Sequence, residues 1–245
     1  AYFYAQSPNM SFQQSTINCK GRLLNLETPL VMGILNLTPD SFYDGGKYDE
    51  LPAMLDRVFS MAEAGAAIID LGGVSTRPGA AFPDTRTELD RVIPVIEELN
   101  KNFPDLPLSI DTFRSEVARK AVNAGACMVN DISAGSMDPE MYSTVAELKV
   151  PYILMHMQKT PGTMQDNPVY ENTVSDIADF FIKELAILKE LGVHDIILDP
   201  GFGFGKTVAH NFELLQQFDS FLFLEQPMLA GLSRKSMIYK TLQKT

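Results

Sequence analysis

The sequence predicts an α/β fold in one domain, residues 1–245, and within that class a TIM-type (β/α)8 barrel with its last βα unit missing. Three observations lead there. Short apolar runs alternate with helical stretches along the chain, several runs follow a glycine placed where a helix would end, and polar residues recur where the runs stop. Seven strands alternating evenly with helices favour a barrel; a doubly wound sheet stays open on the sequence alone.

The elements follow in order. Leu30–Leu35 is the first candidate strand. Leu51, Met54, Leu55, Val58 and Met61 then share one helical face, and Gly65 leads into the run Ile68-Ile69-Asp70-Leu71. Leu108–Ile110 is followed by a helix opened at Ser115-Glu116, and Gly125 precedes the run Met128-Val129. Asp138-Pro139 reads as an N-cap with proline at the first helical position. Tyr152–Met155 comes next, then a helical face of Val174, Ile177, Phe181, Leu185, Leu188 and Leu191, Gly192, and the run Ile196-Ile197-Leu198. Met228–Leu232 is the seventh strand. Gly65, Gly125 and Gly192 suit the left-handed position just past a helix, and the runs are short enough for buried parallel strands.

Composition narrows the partners. Thirty-one acidic against 20 basic residues, a net charge of -11, argue against nucleic acid or an acidic membrane surface, both of which demand clustered Lys and Arg. A small anionic substrate needs only a local positive pocket. No apolar stretch is long enough for a membrane span. Cys19 and Cys127 lie far apart with no CxxC pair, so they read as reduced or buried thiols and point to the cytoplasm.

Function is carried by the strand ends. Asn36, Asp111, Asn130, His156, Asp199 and Ser233 sit at or just beyond the apolar runs, and the Gly72–Gly79 loop follows another. In a barrel these ends converge on the face where active sites are built. Asn36-Leu37-Thr38-Pro39-Asp40-Ser41-Phe42 reads as a capped turn, or else as a mobile loop in which Asn36 is a carbonyl ligand for Mg²⁺ and Phe42 a hydrophobic contact. Ser75-Thr76-Arg77-Pro78-Gly79 is either a solvated loop or an anion site built on the guanidinium fork. Asp111 and Asp199 would be costly at buried strand ends unless paired or met by a ligand's donors; with Asn130 they suit an amino-pyrimidinone edge. Gly201-Phe202-Gly203-Phe204-Gly205-Lys206-Thr207 is not a P-loop, because Gly201 is one residue too close to Gly205-Lys206. Its glycines would let backbone approach a flat ligand, with Phe204 on the pocket wall. Lys235 in Ser233-Arg234-Lys235-Ser236 stands where it can bond a ring carbonyl or nitrogen, and the Ser236 N–H where it can receive a carboxylate. His156 reads as structural, and no Cys/His cluster supports zinc.

Taken together, seven segments resemble the dihydropteroate synthase family in its order: Met32 to Phe42, Asp70 to Gly79, Ile110-Asp111-Thr112, Asn130 to Ser133, Leu154 to Met157, Asp199 to Lys206 and Gly231 to Ser236. The resemblance implies that Asn36 binds Mg²⁺ on a pterin diphosphate, with Thr76 and Arg77 on a second mobile loop nearby. Asp111, Asn130, Met155, Asp199 and Lys235 would hold the pterin. Phe42, Pro78, Phe204, Lys235 and Ser236 would form the p-aminobenzoate pocket, with Asp111, Arg77 and Lys235 supporting the chemistry. It further implies a homodimer. The family ends in an eighth strand bearing an Arg-x-His pair that clamps the diphosphate. None follows Ser236, so the expectation is a native chain that continues past Thr245 and, without that continuation, an open barrel with two unpaired sheet edges. A methyltetrahydrofolate-dependent corrinoid methyltransferase would share the Asp and Asn contacts but needs no diphosphate site. A noncatalytic pterin-binding relative would be free to lose the loop residues that are present here.

Overall fold

A computed structural model describes residues 2–4, 15–38, 51–75 and 81–242. The described residues include ten strands: β1 (Tyr2–Tyr4), β2 (Thr16–Cys19), β3 (Arg22–Asn25), β4 (Val31–Asn36), β5 (Ala66–Gly72), β6 (Leu108–Asp111), β7 (Met128–Asp131), β8 (Tyr152–Met155), β9 (Ile196–Asp199) and β10 (Met228–Ala230). The helices are α1 (Leu51–Glu63), α2 (Thr85–Asn102), α3 (Ser115–Ala124), α4 (Met141–Leu148), α5 (Thr173–Glu190), α6 (Val208–Gln216) and α7 (Ser236–Leu242), with a 3-10 turn at Phe218–Leu224.

Strands β4 to β10 run parallel as consecutive neighbours, the (β/α) arrangement expected. The expected open edges are not found. β1 lies between β10 and β4, antiparallel to both, and closes the barrel with Tyr2 opposite Ala230 and Val31. A parallel closure would need a crossover, whereas a short β-prone Tyr-Phe-Tyr segment entering from the other direction satisfies both edges directly.

Side chains alternate along each barrel strand, and the alternation sorts the core into two clusters. Leu35, Ile69, Leu71, Leu108, Ile110, Val129, Tyr152, Leu154, Ile196 and Leu198 pack outward with helix residues such as Val92, Val117, Ile177 and Phe181. Met32, Ile68, Met128, Ile153, Ile197 and Leu229 form the other cluster inside the barrel. The antiparallel hairpin β2–β3 plugs that floor with Ile17 and Cys19, joined by Leu26.

Helix ends follow local chemistry, with three corrections. Gly65, Gly125 and Gly192 adopt positive φ after α1, α3 and α5, as the spacing predicted. Ser115 is the first residue of α3 rather than its cap; its N–H is held at 2.7 Å by Asp138 Oδ2. Asp138 does not cap α4 either: that helix begins at Met141, and Asp138 Oδ1 accepts from Glu140 N at 3.0 Å. One carboxylate therefore serves two neighbouring segments. Leu191 lies beyond α5 and is 46% exposed, so it does not extend the buried face.

Candidate active site

Register brings the strand-end residues together. Asn36 pairs with Gly72, Gly72 with Asp111, and Asp111 with Asn130, so four strands present one row at the C-terminal mouth. Met155 pairs with Asp199 and continues the rim. All share the inward parity that is apolar at the floor and polar at the mouth. Gly72 keeps the row open: a Cβ there would lie 3.4 Å from Asp111 Oδ2 and 3.6 Å from Asn36 Oδ1.

The charges are arranged around that opening. Burial, then the nearby charges of Asp70, Glu88 and Asp131, hold the Asp111 carboxyl well above the usual carboxylate range, opposed by Lys235. Asp111 is nonetheless partly accessible from the mouth. Burial also raises Asp199, against the pull of the Gly201 N–H, which donates to Asp199 Oδ1 at 2.8 Å, and of Lys235. Lys235 is lowered by burial and supported by both Asp199 and Asp111, and its Nζ lies 4.1 Å over the Phe204 ring. Two acceptors, one amide and one ammonium therefore face a common space, beside an aromatic wall.

The Gly201–Gly205 loop is shaped by backbone approach. Gly201 has φ +72, and a Cβ there would fall 2.0 Å from the His156 carbonyl oxygen. Gly203 has φ +79, and its Cβ would meet Lys235 Cδ at 2.9 Å. Inside the loop, buried Lys206 Nζ donates to Gly201 O at 3.1 Å and Phe204 O at 3.0 Å, and lies 3.0 Å from His156 Nδ1. Burial first, then Lys235, brings Lys206 down to about 7, while Asp199 opposes the change. Burial and Lys206 bring His156 down to about 2, so the imidazole is neutral, and its Nδ1 accepts from Lys206 when the lysine carries its proton. The structural reading of His156 agrees with this geometry.

Further side chains missed in the sequence support the row. Asp70 Oδ2 accepts from Asn130 Nδ2 at 2.9 Å, fixing which way the amide faces. Its position within an apolar run, two residues before Gly72, was the available signal. Glu88, wholly buried in α2, accepts from Thr112 Oγ1 at 2.6 Å and pairs with Arg114, whose Nη2 reaches Pro83 O at 2.6 Å. This ion pair ties the segment after β6 to α2. Lys206 was visible as part of a rejected nucleotide loop and as the end of one family segment, with no role assigned to it.

Phe42, Thr76, Arg77 and Pro78 lie outside the described residues, as does the Ser236 side chain; Ser236 itself begins α7. Among the described residues, no group of three His, Cys, Asp or Glu could hold a metal. No helix among them is long and apolar enough to cross a membrane.

Comparison with known proteins agrees with this arrangement. A family model described as "Pterin binding enzyme" matches residues 32–245. The dihydropteroate synthase of Synechocystis is 47% identical over 214 residues, covering 86% of this chain and 74% of its own. A Yersinia pestis dihydropteroate synthase structure, a sulfonamide drug complex, superposes with TM-score 0.87 at 43% identity, covering 93% of this chain and 83% of that one. The Xanthomonas albilineans enzyme with 4-aminobenzoic acid gives 0.86 at 43% identity, covering 94% and 82%. With the mouth residues in register and identity this high across most of its length, the chain belongs to the dihydropteroate synthase family of pterin binding enzymes.

Proposed function

We propose that this chain joins 6-hydroxymethyl-7,8-dihydropterin diphosphate to p-aminobenzoate, releasing 7,8-dihydropteroate and diphosphate. The observation that carries the reading is the convergence of Asp111, Asn130, Asp199 and Lys235 at one mouth. Asp111 and Asp199 would accept the N–H donors of the pterin ring, Asn130 would complete its edge, and Lys235 would bond a ring carbonyl or nitrogen. Met155 would lie against the flat heterocycle from the rim.

In the reaction the bond from the exocyclic methylene to the diphosphate oxygen breaks, and a bond from the same carbon to the arylamine nitrogen forms. The amine then loses a proton. An arylamine is weakly basic and already nucleophilic, so no dedicated base is required. As the leaving group departs, positive charge grows on the methylene–pterin, and Asp111 would oppose it. Arg77 and Thr76 would receive the diphosphate, and loop closure would exclude water from the cation. Phe42, Pro78, Phe204 and the Ser236 N–H would hold p-aminobenzoate, the molecule bound by the Xanthomonas relative.

Asn36 suits magnesium. It offers a hard amide oxygen at an exposed strand end, and magnesium keeps most of its shell as water and phosphate oxygens. When bound, the ion would neutralise the diphosphate. The cytoplasm remains the expected compartment, with the thiols reduced. We also expect a homodimer; exposed Phe212 and Leu215 of α6 and Ile238 and Leu242 of α7 offer a partner an apolar face, and sedimentation tests it.

The direct experiment supplies pterin diphosphate, Mg²⁺ and p-aminobenzoate and measures dihydropteroate together with diphosphate. Equal amounts of both products support the proposal. Pterin binding without turnover would instead favour a noncatalytic relative.

A further inference from the structure

At the end of the barrel opposite the mouth, the chain's two cysteines meet. Cys19 closes β2 in the floor hairpin, and Cys127 immediately precedes β7. Both are buried, in the same small apolar cluster that seats the hairpin on the barrel. Within that cluster each thiol is the largest influence on the other, an interaction that raises Cys19 and lowers Cys127. Lys20 sits over the pair, its Nζ donating to Val122 O, and its charge also favours the Cys127 thiolate. Arg22 and Asp195 are the other charges felt at Cys19.

Cys127 is firmly placed, with its N–H on Leu108 O at 2.8 Å in the barrel wall. Cys19 belongs to a two-stranded sheet that, among the described residues, shares no ladder with the barrel. Beyond its apolar face, the hairpin is held by Lys20 on Val122 O and by the exposed Arg22, which reaches Pro104 O at 3.3 Å and Asp105 at 3.0 Å. A two-stranded hairpin is marginal by itself, so local opening is the route by which a reagent reaches these thiols.

We propose that Cys19 and Cys127 form a latent disulfide site, an oxidation-responsive clamp that fastens the hairpin plug to the barrel floor. The oxidant is a low-molecular-weight disulfide. The Cys127 thiolate attacks one sulfur of the reagent, breaking its S–S bond and releasing one thiol. Cys19 then loses its proton, and its thiolate attacks Cys127 Sγ to displace the second thiol. The protein gives up two electrons and two protons, and the reagent takes up both. The clamp lies at the floor, so pterin affinity at the mouth stays the same.

The test treats the folded full chain with excess oxidised glutathione. The expected product is a single polypeptide about 2 Da lighter and not cross-linked to a second copy, with no free thiol and a Cys19–Cys127 linked peptide after digestion. Its Tm rises, returns on reduction, and pterin diphosphate affinity does not change. In Cys19→Ala, the same reagent should stop as a glutathione adduct on Cys127. Should that variant fail to fold, the wild-type thiol count, mass and Tm still decide. Three results overturn the proposal: a stable glutathione adduct on the wild-type chain, no reaction until denaturant is added, or a closed disulfide that leaves Tm unchanged.

Discussion

Replacing Asp111 with Asn separates binding from stability in a way the geometry makes specific. The carboxylate stands in the mouth row between Gly72 and Asn130, within the influence of Lys235 and of the Asp70, Glu88 and Asp131 charges. A carboxylate accepting two ring N–H groups gains about 1.5–3 kcal/mol from each charged hydrogen bond. Asn keeps one acceptor and turns an NH2 toward the other donor. The expected loss is about 3 kcal/mol, or roughly 100-fold in Kd for pterin diphosphate. Stability should move the other way. Because the folded carboxyl holds its proton more tightly than the unfolded one, wild-type stability falls as pH rises above about 4 toward the folded value. Asn carries no charge to bury, so the variant's urea midpoint at neutral pH should match or exceed wild type. Calorimetry measures the affinity, and repeating it in buffers of different ionisation enthalpy should show proton release on wild-type binding and less on the variant. Unchanged affinity, or a large loss of stability with it, would refute the reasoning.

Three further outcomes are expected. Gly201→Ala forces a Cβ to 2.0 Å from the His156 carbonyl at positive φ, so it should destabilise by about 2–4 kcal/mol and weaken pterin binding, read by denaturant unfolding and calorimetry. Lys206 titrates near 7 folded against 10.5 ordinarily, so its burial penalty is full below pH 7 and fades as pH rises toward 10.5. From pH 7 to 9 the wild type should gain about 2 kcal/mol relative to Lys206→Met in urea unfolding; parallel curves would disprove that assignment. Sulfonamides should compete with p-aminobenzoate in steady-state kinetics, and noncompetitive inhibition would count against the proposed second pocket.

Some parts of the fold were open to reading and others were not. Tyr152–Met155 has the bounds expected, and the helices before Gly65, Gly125 and Gly192 end as their spacing implies. α2 was not singled out, although Asp84 caps it by accepting from Thr87 N, because Pro94 interrupts an otherwise plain helical pattern. Its omission also hid Glu88 and therefore the Arg114 pair. Barrel closure by Tyr2–Tyr4 depends on a few backbone pairs between distant segments, which leave no local trace.

By itself the sequence determined the order of the elements, the family motifs, and which residues stand at the strand ends. Those follow from local spacing and chemistry. It did not determine which face of each strand looks inward, because both faces are apolar below the mouth: Ile68 and Ile69, or Ile197 and Leu198, are equally hydrophobic neighbours on opposite sides. Only the closed barrel decided that alternation, put Asn36, Asp111 and Asn130 in one row, and turned Asp70 toward Asn130. The physical reason is that parity and proximity across strands belong to pairing register, a property of segments far apart in the chain.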